Sequence, residues 1–157
     1  MKLIIIPTGS GKFTITDDKE RKIYSVTKKR KLIGNPITTL HDASDYALYT
    51  MVRTATGIKP AFQIIFNDAV FMTVQCKSLY VDPCITFTGQ GGAFELKGKS
   101  ADNMILRAEG EEIGTLKTER QMNNDPKYLL TVDNKRFDDF MALFAVVADK
   151  CFSGKNK

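Results

Sequence analysis

The chain has 157 residues, of which 43% are hydrophobic and 26% charged, and its net charge is +5. This length and composition suit one domain with a substantial core, so we expect a single domain over residues 1–157. The composition is that of an ordinary soluble globular protein without a low-complexity tract. The apolar run at the start is too short for a secretory signal, and no segment is long enough for a transmembrane helix.

The positive charge is concentrated in residues 1–60, which hold 11 Lys/Arg against 5 Asp/Glu, whereas residues 61–157 hold 12 against 13. Cys76, Cys84 and Cys151 are odd in number and widely spaced, without a C-x-x-C pair. Such cysteines are typical of a reducing compartment. We therefore expect a cytoplasmic protein, with peripheral attachment to a membrane left open.

Residues 2–132 show short β-type runs separated by polar or Gly-containing turns about every ten residues, which is a pattern of consecutive hairpins. No helix alternates with these runs, so an antiparallel meander is favoured over a parallel sheet. The twelve predicted strands are Lys2–Ile6, Gly11–Thr16, Lys22–Thr27, Pro36–His41, Tyr46–Thr54, Pro60–Phe66, Ala69–Lys77, Cys84–Thr88, Gly92–Gly98, Asn103–Glu109, Glu112–Thr118 and Lys127–Val132.

A helix is predicted over residues 136–152, where Phe140–Ala148 are nine consecutive apolar residues. A helix without a polar face must be buried on every side. Asn134 is the predicted N-cap, Gly154 the predicted stop, and residues 153–157 a frayed tail. The side chains expected to form the helix core are Phe137, Phe140, Met141, Leu143, Phe144, Val146, Val147 and Phe152.

Twelve strands ~4.8 Å apart and tilted ~40° close into a ring roughly 24 Å across, which leaves room for one helix ~10–12 Å wide. We therefore predict a mainly β fold, a closed antiparallel twelve-stranded barrel with the hydrophobic C-terminal helix through its centre. The alternative is a two-sheet sandwich with the helix packed across one open end.

The order of these elements resembles the tubby-like superfamily, in particular its LURP-one-related and bacterial tubby-C-like members. The resemblance is carried by Lys12–Asp17, Ile23–Val26, Ile37–Asp42 and the terminal Phe140–Cys151 run with its late Asp149. It implies a twelve-stranded barrel threaded by the C-terminal helix. Relatives include phosphoinositide-binding tubby proteins and phospholipid scramblases, so the fold by itself does not decide the function.

The sequence contains no complete catalytic or metal-binding pattern. Pro7–Phe13 lacks the first Gly and the Ser/Thr of a phosphate-binding loop and precedes a strand. His41 is the single histidine, so a zinc site lacks ligands, and a catalytic pair would need Cys76 or Cys84 beside it. A calcium loop starting at Asp133 has Lys, Phe and Asp where the ligands and Gly should be. We predict neither enzymatic activity nor a cofactor or metal.

Asp149 lies late in the apolar helix. A carboxylate there must reach a barrel mouth, find a partner or be protonated, because an isolated buried charge is costly. We expect it to reach a mouth, with a buried salt bridge as the alternative.

The best candidate for ligand binding is a set of basic residues near one hairpin, which could bind phosphate through charge-assisted hydrogen bonds. The set comprises Arg21, Lys22, Lys28, Lys29, Arg30 and Lys31. No exposed aromatics interleave with it, which argues against nucleic acid. The predicted function is a non-enzymatic module that binds anionic lipid headgroups or another phosphorylated ligand. The alternative is a protein-interaction or scaffold domain, and the oligomeric state is left open.

Overall fold

The computed structural model describes residues 1–55 and 57–153. It confirms the predicted fold class, a closed antiparallel barrel of twelve strands with one C-terminal helix. The strands are β1 (Lys2–Gly9), β2 (Lys12–Asp17), β3 (Lys22–Lys29), β4 (Ile37–Asp42), β5 (Ala47–Ala55), β6 (Ala61–Phe66), β7 (Ala69–Ser78), β8 (Cys84–Gly89), β9 (Gly92–Ser100), β10 (Asn103–Ala108), β11 (Glu111–Arg120) and β12 (Pro126–Val132).

Each strand pairs with its neighbours in the chain, and β1 pairs with β12 to close the ring. Closure leaves no strand edge exposed. Because every pair is antiparallel, successive connections lie at alternate ends of the barrel. The connections β1–β2, β3–β4, β5–β6, β7–β8, β9–β10 and β11–β12 therefore share one end.

Side chains alternate between the lumen and the outside along the strands, as the period of two requires. In β2, Phe13 and Ile15 are buried, and Thr14 and Thr16, which alternate with them, are partly exposed. Met104 and Leu106 alternate in the same way in β10, which resolves a stretch whose sequence pattern is ambiguous. These buried side chains form one continuous core around the helix.

The helical segment begins later than predicted. A 3₁₀ turn covers Asp139–Met141, and helix α1 covers Ala142–Phe152. The N-cap is Asp138, whose carboxylate accepts from the backbone N–H of Asp139 at 2.7 Å. The predicted N-cap Asn134 instead accepts a hydrogen bond from the N-terminal ammonium group, because a backbone turn at Asp133 precedes the helix.

Helix α1 is buried on all sides from Ala142 to Asp149. Phe144 packs on Phe87 with ring centroids 4.0 Å apart, and Phe140 meets Phe94 at 5.7 Å. Phe137 and Phe152, at the two ends of the predicted core, are only partly buried. Gly154 and the tail lie outside the described residues. None of the described helices is long and apolar enough to cross a membrane.

Two tyrosines in the barrel wall fasten the ends of the helical segment. Tyr24 donates a hydrogen bond to Asp139 at its start, and Tyr128 donates one to Asp149 near its end. Burial, reinforced by the neighbouring carboxylate, raises the pKa of both phenols above the ordinary value. Asp149 is only 4% exposed and is held by Tyr128, a partner that is not a cation.

Candidate anion-binding site

Charge is divided between the two ends of the barrel. We call the end that carries the β1–β2 connection the basic end and the other the acidic end. Counted with two strand residues on each side, the six strand-to-strand connections at the basic end hold ten Lys/Arg against four Asp/Glu. The five connections at the acidic end hold four against nine. Helix α1 ends at the basic end, since Asp149 lies beside the β1–β2 turn.

The structure separates the predicted basic residues into two groups. Arg21 and Lys22 lie at the acidic end, where β3 begins. The Arg21 guanidinium is already occupied, because its Nε donates to the Asp17 carboxylate at 2.7 Å. At ~3.3 Å per residue, about 23 Å of strand separates Arg21 from Lys28. These two residues therefore do not share a site with the rest of the set.

The remaining four predicted residues lie together at the basic end. Lys28 and Lys29 are the last residues of β3 rather than part of the loop, whereas Arg30 and Lys31 begin the β3–β4 connection. Lys29, Arg30 and Lys31 are exposed, and Lys28 is partly buried. Within residues 1–55 and 57–153, none of the four forms an ion pair with a carboxylate. Their charges are therefore available to a ligand.

The side chain of Lys28 packs against the β1–β2 turn. Gly11 has φ +76°, and a Cβ built there would stand 2.6 Å from Cδ of Lys28. A side chain at position 11 would thus collide with the lysine stem, and the positive φ independently favours glycine. The stem of Lys28 therefore crosses the turn in close contact and reaches two adjoining cavities.

The smaller cavity has a volume of about 100 Å³ and is lined by three basic side chains. Lys28, Arg53 and Lys150 line it together with apolar residues and the buried Thr38. No carboxylate belongs to this described lining. Nε of Arg53 donates to the carbonyl of Ala55 at 2.9 Å, and its guanidinium lies 5.9 Å from the centre of the Phe62 ring. Arg53 is therefore held in place before any ligand arrives.

Lys150 is the unusual member of this group because it belongs to the central helix. Burial lowers the pKa of Lys150, and the positive charge of Lys28 lowers it further. The neighbouring carboxylate of Asp149 acts in the opposite direction, and Arg53 adds to the depression. These surroundings disfavour the charged form of Lys150. An anion that binds in the cavity would stabilise that charged form.

The larger cleft, of about 620 Å³, is more mixed in charge. Lys12, Lys28 and Arg30 line it, but so do Asp125 and Asp149. The negative end of the α1 dipole also faces this end of the barrel. The small cavity is therefore the better place for a negatively charged group, and the cleft is a place for the rest of a ligand.

The described residues form neither a Cys–His catalytic pair nor a metal site. His41 lies at the acidic end, where its Nε2 is 3.0 Å from the Thr27 hydroxyl. Cys76 and Cys84 lie near the basic end, so the topology does not bring a Cys–His pair together. Among the described residues, no three His, Cys, Asp or Glu side chains are grouped so that they could hold a metal ion.

Lys12, Arg53 and Lys150 were missed in the sequence because they belong to three different elements. In an antiparallel meander every second connection lies at the same end of the barrel. This rule could have placed Lys12 and Arg53 at the same end as Lys28. Lys150 required the direction of the helix as well. In the sequence, Lys150 is consistent with an ordinary favourable charge at a helix C-terminus, which gives no indication that it lies beside Lys28.

The closed antiparallel barrel of twelve strands around one C-terminal helix is a tubby-like architecture. The family model described as LURP-one-related matches residues 2–149, and the chain belongs to that family. A solved X-ray structure of an Arabidopsis thaliana protein is similar, with a TM-score of 0.66 and 16% identity. The similarity covers 95% of this chain and 89% of that chain, and at this identity it shows the fold alone. A search of the curated proteins found no match.

Proposed function

We propose that this protein is a non-enzymatic binding module for an anionic, phosphate-bearing ligand. The observation that carries the proposal is the cavity where Lys28, Arg53 and Lys150 lie together, with no carboxylate among the described residues that line it. Three cations held in a partly buried site repel one another, and hydrogen bonds to an anion offset that repulsion. The wider cleft beside it offers room for the uncharged part of the ligand.

The chemistry is shared by a phospholipid headgroup and a free phosphorylated metabolite. We therefore test it first with inositol trisphosphate and inorganic phosphate, each added to the purified protein. Binding is followed by calorimetry and by the rise in melting temperature that a ligand of the folded state produces. Vesicles with and without anionic lipid then distinguish the two sources.

Strand β3 supplies a matched pair of variants, since Lys22 and Lys28 lie on the same strand at opposite ends of the barrel. Lys28→Gln is expected to weaken binding by roughly tenfold or more, because a hydrogen bond to a charged group contributes about 1.5–3 kcal/mol. Lys22→Gln is expected to leave affinity unchanged. Equal affinities in the two variants, or no stabilisation of the wild type by either anion, would refute the proposal.

A further inference from the structure

The most exposed apolar side chains are confined to one end of the barrel. Among the described residues, six large apolar side chains are at least 78% exposed: Leu32, Ile33, Ile58, Tyr80, Val81 and Met122. They lie in the connections β3–β4, β5–β6, β7–β8 and β11–β12, all at the basic end. At the acidic end the most exposed is Tyr46, at 72%.

Single exposed apolar residues are ordinary on protein surfaces, so exposure alone carries no argument. What matters here is that basic residues lie beside the exposed apolar residues. Lys31 directly precedes Leu32, and Lys59 directly follows Ile58. Apolar tips on separate loops, with cations beside them, are complementary to a bilayer surface, whose headgroups are anionic and whose interior is apolar.

We propose that the basic end docks onto an anionic membrane, with these loop tips entering the interfacial layer of the bilayer. Lys31 and Lys59 then lie at the level of the headgroups, and the acidic end points away from the negatively charged surface. The proposal rests on the proposed function in one respect: the anion bound by Lys28, Arg53 and Lys150 is a headgroup of the same membrane.

The chain contains no tryptophan, so one introduced indole reports on a chosen loop. Leu32→Trp places it on the β3–β4 connection, and Tyr46→Trp is the control at the acidic end. With phosphatidylcholine vesicles containing about one third phosphatidylserine, we expect a blue shift of Leu32→Trp emission and quenching by brominated lipid. Pure phosphatidylcholine vesicles should produce much less of both, and Tyr46→Trp should not respond.

A second variant measures the contribution of the tips. Leu32→Ser/Ile33→Ser is expected to lower vesicle affinity by roughly tenfold or more, because less apolar surface leaves water. Its affinity for inositol trisphosphate should be unchanged, since neither side chain lines the cation cavity.

The two proposals fail in different ways. If inositol trisphosphate binds but Leu32→Trp emission is unchanged by anionic vesicles, or if Tyr46→Trp responds equally, docking is refuted while the proposed function stands. If vesicles bind with insertion of the tips but no soluble phosphate binds, the proposed function fails and docking stands. No binding to anionic vesicles at low salt also refutes docking and leaves the tips to a protein partner.

Discussion

A lysine near the end of a buried helix is unfavourable unless something negative reaches it. Lys150 is partly buried and lines one cavity together with Lys28 and Arg53. The depressed pKa of Lys150 has burial as its main cause and the nearby cations as its second. Under the proposed function, an anion bound beside Lys150 would offset the unfavourable surroundings of its ammonium group.

We predict that Lys150→Met raises the free energy of unfolding at neutral pH by up to about 1 kcal/mol and weakens inositol trisphosphate binding at least tenfold. In the wild type the unfolded chain binds more protons between the lowered pKa and the ordinary value of 10.5. Stability contributed by Lys150 therefore rises with pH across that window, and Lys150→Met removes the rise. Urea denaturation of both proteins at several pH values measures the difference. A less stable variant with the same pH slope as the wild type would contradict this account.

At the scale of the element, the position of helix α1 inside the barrel is determined by a large apolar surface and two hydrogen bonds. The apolar surface holds α1 inside the barrel but does not by itself determine its depth, because it is apolar all round. The hydrogen bonds from Tyr24 and Tyr128, one at each end, supply that information. They hold Lys150 at the level of Lys28.

The two contacts differ in burial, and this difference can be measured. Asp149 is 4% exposed, whereas Asp139 is only partly buried. Tyr128→Phe removes a donor from the more buried carboxylate and should cost about 1–3 kcal/mol of stability. Tyr24→Phe is the matched control, with an expected cost below that of Tyr128→Phe. Denaturant titration compares them, and a larger loss in Tyr24→Phe would show that the start of the helical segment is the tighter anchor.

At the scale of the whole molecule, the barrel and the helix form one core. The strands close around α1 and bury their inward side chains against it, so neither part has an independent apolar interior. The connections at the two ends are free of this constraint. Their alternation places basic residues and exposed apolar tips at one end and most carboxylates at the other, which gives the molecule an electrostatic axis.

Because the core is shared, damage to the helix should unfold the entire domain. Phe144 is fully buried, and Phe144→Asp would bury a charge and leave a cavity, at a combined cost comparable to the usual 5–15 kcal/mol of a domain. We expect no cooperative melting transition in calorimetry. Val70→Asp, at a side chain 45% exposed, is the control and should melt cooperatively. A cooperatively melting Phe144→Asp would mean that the barrel stands without its helix.

Much of the fold could be predicted from local sequence because it depends on local rules. Alternating residues with turns between them define all twelve strands, and a helix apolar on every face requires a surrounding wall. The predicted start of the helix, at Arg136, lies three residues before the 3₁₀ turn that begins at Asp139. The N-cap is the residue whose side chain accepts a hydrogen bond from the first turn of the helical segment. In the folded chain that residue is Asp138, whereas Asn134 accepts a hydrogen bond from the N-terminal ammonium group.

The candidate site depended on tertiary structure. Neighbours in sequence such as Lys22 and Lys28 are separated by the length of a strand, whereas Lys28, Arg53 and Lys150 meet although they are distant in the chain. The sequence by itself determined that strands, a helix and a surplus of positive charge exist, because these follow from residue type and spacing. Only the closed barrel decided which cations share a cavity, because the direction of each strand and of the helix assigns every side chain to one end.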